Sequence, residues 1–247
     1  MENEMSVLQI LAVIPSRGGS KGLPGKNIRP LAGLPLLAHS IRLAKLCPEI
    51  AQCIVSTDSE EIATVARAYG GVVPFLRPGN LAQDDTPMWP VLQHALQEME
   101  LRDGCSYGSL LLLEPTSPGR LPEDVQQAIQ ILEDDPACVG VIAVSEPRFN
   151  PRWVCVEPRP DGYIRQSFVT DHVYIRRQDV PPVYRINGSL YLWRRDHIAN
   201  SIVSDIGTAP HRMLNIPEIR AIDIDDIQDF NLAELWIRER FVQLPWL

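Results

Sequence analysis

The segment from Pro15 to Arg29, PSRGGSKGLPGKNIR, holds four cations (Arg17, Lys21, Lys26, Arg29), four glycines (Gly18, Gly19, Gly22, Gly25) and no acid. Glycines let a backbone approach a ligand closely and turn N–H groups toward it, while the cations neutralise phosphate charge. A flexible basic turn is the other reading, and it leaves an acid-free cluster in an acidic chain unexplained. Two familiar phosphate loops do not fit. A Walker A loop needs Gly, four residues, Gly-Lys and then Ser or Thr; around Gly25-Lys26 those places hold Ser20 and Asn27. The dinucleotide fingerprint G-x-G-x-x-G is absent. Near the other end of the chain, Asp223 and Asp225 stand two apart. On an extended backbone they share a face, so both carboxylates can meet one hard cation through oxygen. Asp225-Asp226 could instead cap a helix starting at Ile227. None of His39, His94, His172, His197 and His211 has metal-ligand spacing, and no G-x-S-x-G nucleophile elbow occurs.

These residues need a scaffold, and apolar runs alternate with helical patterns. Strands are predicted at Leu8–Ile14, Cys53–Ser56, Val72–Leu76, Leu110–Leu113, Val139–Val144, Gly188–Trp193 and Ala221–Ile224. Helices are predicted at Leu36–Leu46, from a capping box at Thr57–Glu61 to Gly70-Gly71, at Val91–Leu101, Glu123–Leu132 and Ile227–Phe241. Continuously apolar strands alternating with helices predict an α/β fold, a Rossmann-like and mostly parallel sheet with helices on both faces. The loop at Pro15 then leaves the carboxyl end of the first strand, where open α/β sheets bind ligands. Between Pro147 and Arg185 the rhythm changes to a Pro- and Arg-rich stretch with strand-like alternation at Tyr163–Val169 and His172–Arg176, a small β-rich excursion within one domain spanning residues 1–247.

The chain carries 23 basic and 31 acidic residues, a net charge of −8, which argues against a nucleic-acid coat or attachment to anionic lipid. No run approaches the roughly 18 apolar residues of a membrane span. Glu2 and Glu4, not Lys or Arg, precede the short apolar run at Val7–Ile14, so no export signal is expected. The cysteines (Cys47, Cys53, Cys105, Cys138, Cys155) are odd in number and form no C-x-x-C pair, as for free thiols in the cytoplasm.

Taken in order, several blocks resemble the acylneuraminate (CMP-sialic acid) cytidylyltransferases. They are Ile14–Asn27, Ile54-Val-Ser-Thr-Asp-Ser59, Leu76-Arg-Pro78 with Leu81-Ala82, Leu112-Leu-Glu-Pro-Thr-Ser-Pro118, Arg185-Ile-Asn-Gly-Ser-Leu-Tyr191 and Ile222-Asp-Ile-Asp225. The resemblance implies an enzyme that couples CTP to a nine-carbon (nonulosonic, sialic-type) sugar acid and releases pyrophosphate. It implies that Arg17, Lys21 and Lys26 act on the triphosphate, and that Gly18, Gly19, Asn27 and Arg77 bind the nucleotide. On the sugar side it places Glu114, Arg185, Asn187 and Tyr191; for Tyr191 a packing role fits the residue equally well. It assigns Mg2+ to Asp223 and Asp225, and a homodimer in which Arg177 crosses to the sugar carboxylate. Because Arg176 and Arg177 are adjacent, one of them could simply face solvent. The sequence departs from the pattern at Glu114, where the family has Gln, at Trp153, where Lys is expected beside Arg152, and at Asp85-Thr-Pro-Met88. These departures lie on the sugar or base side and leave room for another sugar or nucleotide, or for a homologue that binds nucleotide without catalysis.

Overall fold

The computed structural model describes residues 9–168 and 174–247. Strands β1 (Ile10–Pro15), β2 (Pro30–Leu31) and β3 (Leu34–Pro35) lead into helix α1 (Leu36–Lys45) and strand β4 (Ile50–Ser56). Helices α2 (Glu60–Ala68) and α3 (Met88–Asp103), strand β5 (Ser109–Leu112), helix α4 (Pro122–Asp134) and strand β6 (Gly140–Ser145) follow. A one-turn helix α5 (Pro151–Val154) and strands β7 (Val156–Pro158) and β8 (Ile164–Gln166) interrupt the pattern. The chain ends with strand β9 (Arg185–Arg194), helix α6 (Arg195–Asn200), strand β10 (His211–Asn215) and helix α7 (Ile227–Arg238). The main sheet has the order β10-β6-β9-β5-β1-β4, and β9 alone runs antiparallel to its neighbours.

Period-two alternation splits β1 between two cores. Ile10, Ala12 and Ile14 pack with Leu37 and Ile41 of α1, Ile62 of α2, and Val125 and Leu132 of α4. Leu11 and Val13 face Trp89, Leu92 and Leu96 of α3 and Ile198 of α6. Helices therefore cover both faces, and the α/β reading holds.

Two strands expected from sequence do not form. Val72–Leu76 contributes only isolated bridges, Ile54 to Val72 and Thr57 to Leu76; Pro74 sits between them without an N–H to donate. Ala221–Ile224 keeps alternating burial but is held by Ile224 N donating to Thr116 O (2.9 Å), not by a sheet neighbour. Among the described residues of the excursion, the only strand pairing is the β7–β8 hairpin. The strand expected at His172–Arg176 falls partly outside the described residues, as do Val169 and Leu8. Strand β10 and helix α6 had not been expected; β10 reads His-Arg-Met-Leu-Asn, with only Leu214 buried, and lacks an apolar run.

No helix among the described residues is long and apolar enough to cross a membrane. Behind β9, Trp193 Nε1 donates to His211 Nε2 (3.2 Å), and His211 Nδ1 faces Ala209 O at 2.9 Å. Both contacts suit a neutral imidazole protonated on Nδ1. Burial and the nearby His197 push its pKa below 6.5, and burial likewise lowers His39 and His94. Below the unfolded pKa the unfolded chain takes up protons that the fold refuses, so stability falls as pH drops. The urea midpoint is expected to be lower at about pH 5.5 than at about pH 7.5, and His211→Gln should reduce that difference.

Candidate active site

The phosphate-type loop leaves the carboxyl end of β1. Its middle is anchored by Leu23, buried in a third core with Leu31, Leu36, Ile222, Ile224 and Phe230. Gly25 takes a left-handed φ of 67° and turns the chain into a 3-10 turn, Lys26–Ile28. There the buried Asn27 donates from Nδ2 to Arg17 O (3.1 Å), tying the two ends of the loop together. Lys26 Nζ donates to Ile224 O (2.8 Å) and lies 3.5 Å from an Asp225 carboxylate oxygen. Gly22 passes so close that a Cβ would sit 2.6 Å from Asp225 O.

A cavity of about 490 Å³ opens above the loop. Arg17, Lys21, Lys26, Asn27, Arg77, Glu114 and Asp225 all line it, with Ser20, Gly22, Gln83, Asp84, Thr86 and Thr116. Gly18 and Gly19 do not; Gly18 N donates instead to Asp58 Oδ1 (2.9 Å). Arg77 is buried at the cavity wall, where its Nε donates to Ser56 Oγ (3.1 Å) and its Nη2 to Ser56 O. Burial, aided by the Arg17 charge, lowers its pKa to about 10, so it stays cationic at neutral pH.

The opposite wall is acidic. Glu114 follows β5 and forms no hydrogen bond or ion pair through its carboxylate among the described residues. Burial first, and Asp223 second, push its pKa up to about 7, against the pull of Arg120. Gly188, with φ 71°, leaves the space between these acids clear: a Cβ there would stand 3.4 Å from Glu114 Oε2 and 3.9 Å from Asp223 Oδ2. Ile222 and Ile224 are buried while Asp223 and Asp225 point the other way, as the alternation predicted. Desolvation and the Asp225 charge hold the Asp223 carboxyl above the usual range. Asp226 is the cap of α7: its carboxylate accepts from Gln228 N (2.7 Å) and Asp229 N (3.0 Å). That resolves the alternative left open by Asp225-Asp226, because Asp225 is free of the capping role. Tyr191 is half-buried, stacked on Trp193 at 5.2 Å, and burial with Glu114 and Asp223 nearby raises its hydroxyl to about 12.

Besides Gly18 and Gly19, five expected residues do not line this cavity: Asp223 and Tyr191, which stand near Glu114, and Asn187, Arg185 and Arg177. Asn187 is buried, donates to Ser145 Oγ (2.9 Å) and accepts from Ser189 N (3.0 Å), so its amide is engaged inside the fold. Arg185 pairs with Glu218 at 3.1 Å and donates to Ala221 O (3.2 Å), bracing the turn that leads to Asp223. Arg177 donates to Arg148 O (2.6 Å) and lines a separate cavity with Glu146 and Asn150.

Other residues were missed. Arg120 is 1% exposed behind Glu114; it donates to Ser189 O (2.7 Å) and Ser40 Oγ (2.5 Å), and its Nε has no partner among the described residues. The available signal was a lone arginine closing the uncharged Pro-Thr-Ser-Pro-Gly stretch at residues 115–119. Asp84, not singled out from the sequence, meets Arg17 (3.0 Å) and Lys21.

Comparisons with known proteins agree with this geometry. The family model described as Cytidylyltransferase matches residues 11–233. CMP-N,N'-diacetyllegionaminic acid synthase of Legionella pneumophila is 38% identical over 92% of this chain and 95% of its own. N-acylneuraminate cytidylyltransferase of Escherichia coli is 32% identical over 91% of this chain and 51% of its own. Among solved structures, a CMP:2-keto-3-deoxy-manno-octonic acid synthetase complexed with CTP shares the fold, with a TM-score of 0.71 at 18% identity, covering 94% of this chain and 99% of that one. The family model's match over residues 11–233, with a relative 38% identical over 92% of the chain, places the chain in the cytidylyltransferase family.

Proposed function

We propose that the protein transfers the CMP group of CTP to the anomeric hydroxyl of a nonulosonic (sialic-type) sugar acid. The reading is carried by one cavity in which Arg17, Lys21 and Lys26 face Glu114 and Asp225. The new bond joins the anomeric oxygen to the α-phosphorus, the bond to the β-phosphate bridging oxygen breaks, and pyrophosphate leaves. Such a transfer depends mainly on in-line positioning and neutralised phosphate charge. Arg17, Lys21 and Lys26 supply the charge. Asn27 holds the loop closed on Arg17, and Arg77 stands where the base enters. Glu114, with Tyr191 near it, forms the sugar end.

The donor set of Asp223 and Asp225 suits Mg2+, which takes one or two carboxylates and completes its octahedron with water and phosphate oxygens. Among the described residues no cluster of three or more His, Cys, Asp or Glu could hold a metal alone. Asp223, whose carboxyl desolvation and the Asp225 charge hold above the usual range, would be favoured in its ionised form by a cation beside it. When bound, Mg2+ would supply charge neutralisation at the α-phosphate and pyrophosphate oxygens.

Several exposed apolar residues of the excursion (Phe149, Tyr163, Ile164, Ile175) support a homodimer through this region, with Arg177 directed away from its own cavity. A reducing cytoplasm fits the five free cysteines.

Pyrophosphate release from CTP with sialic, legionaminic or pseudaminic acid tests the reading; no turnover with any of them overturns it, and CTP binding without turnover would indicate a non-catalytic homologue. CTP is expected to outperform GTP, UTP and ATP. Asp223→Ala should lose activity by at least about a hundredfold, with a thermal midpoint near wild type, and chelation should abolish activity until Mg2+ is restored. Glu114→Gln replaces a titratable carboxyl by a neutral amide and should shift preference toward ordinary sialic acid. An unchanged substrate profile would remove Glu114 from the sugar pocket. Sedimentation of the full chain should give the mass of two copies.

A further inference from the structure

The cations of the loop already have an anion. Arg17 Nη1 lies 3.0 Å from Asp84 Oδ1, and Lys21 Nζ pairs with the other oxygen of the same carboxylate. Arg17 Nη1 also donates to Gln83 O at 2.9 Å. The segment is held locally: Gln83 Nε2 donates to Gly79 O (2.6 Å), and Thr86 N to Gln83 O (3.3 Å). Asp84 lines the cavity, whereas its neighbour Asp85, with the same charge, neither lines it nor forms an ion pair among the described residues. A bidentate carboxylate bridging two cations imitates two phosphate oxygens in charge and spacing. The pair Lys21–Asp84 lies at the surface, with side chains 79% and 43% exposed, so it can open at small cost.

We propose that Asp84 is an internal competitor for the triphosphate. It holds Arg17 and Lys21 while no nucleotide is bound, yields them to phosphate oxygens on binding, and reclaims them as pyrophosphate leaves. The inference rests on the proposed reading that these two cations receive the triphosphate. Anion affinity is then reduced by the fraction of molecules in which Asp84 occupies the cations. Every ligand that needs both cations free, pyrophosphate and the CTP triphosphate alike, binds more weakly by this same factor. Asp84 also keeps two mutually repelling cations ordered between turnovers.

The test is calorimetric titration of the full chain with inorganic pyrophosphate, alongside steady-state kinetics for CTP, comparing wild type, Asp84→Asn and Asp85→Asn. Asp84→Asn keeps the shape and removes the charge. It is expected to tighten pyrophosphate binding by about fivefold, to lower the KM for CTP by a similar factor, and not to raise kcat. Asp85→Asn is expected to leave pyrophosphate affinity as in wild type. Unchanged or weaker pyrophosphate binding in a folded Asp84→Asn protein overturns the proposal. Equal tightening in both variants also overturns it, because a general charge effect would then suffice. If wild type turns over no CTP with any sugar acid, the functional reading fails, while the pyrophosphate titration still reports on Asp84.

Discussion

Everything at the site depends on burying Leu23 against Ile222, Ile224 and Phe230. The loop from Ser16 to Gly25 contains four glycines and two cations, a composition that favours disorder and self-repulsion. One buried leucine, worth about 2 kcal/mol, cannot order such a loop alone. It does fix where the loop sits, because the other side of the same cluster is the segment carrying Asp223 and Asp225. Gly22 against Asp225 O and Lys26 Nζ against Ile224 O complete the junction. Two stretches some two hundred residues apart in sequence are thereby held at a fixed separation.

Behind the acidic wall lies a second constraint. Arg120 is enclosed completely, and removing an arginine from water is costly unless its charge is met. Glu114 and Asp124 oppose it from two sides, and burial still lowers it to about 10. A neutral amide at position 114 would take away one of those charges. The departure from the family's usual residue therefore concerns the interior as well as the cavity, and Glu114 belongs to both.

The cationic loop that lines the cavity was legible in the sequence, and the polar residues expected to join it from β9 were less so. Residues 15–29 are contiguous, so composition alone announced the loop, and alternation of Ile222 and Ile224 with two aspartates revealed their orientation without a strand to support it. Arg185 and Asn187 show the limit. Both are polar residues at the head of a strand, and nothing in one dimension shows that Glu218 and Ser145 are waiting for them. Arg120 and Asp84 escaped for the same reason, since their partners lie 69 and 80 residues away for Arg120, and more than sixty for Asp84. Val72–Leu76 failed differently: its side chains suit a strand, but Pro74 denies the backbone continuity that pairing requires.

The reversed direction of β9 has an architectural consequence. Running against its neighbours, it begins at the end of the sheet where the parallel strands finish, and Gly188 enters beside Glu114. The loop after β1 and Glu114 after β5 come from the parallel crossovers, whereas Gly188 is threaded in later by a strand returning from the Pro- and Arg-rich insertion. A change of length in that insertion can therefore shift the acidic wall while the crossovers that seat the loop stay as they are.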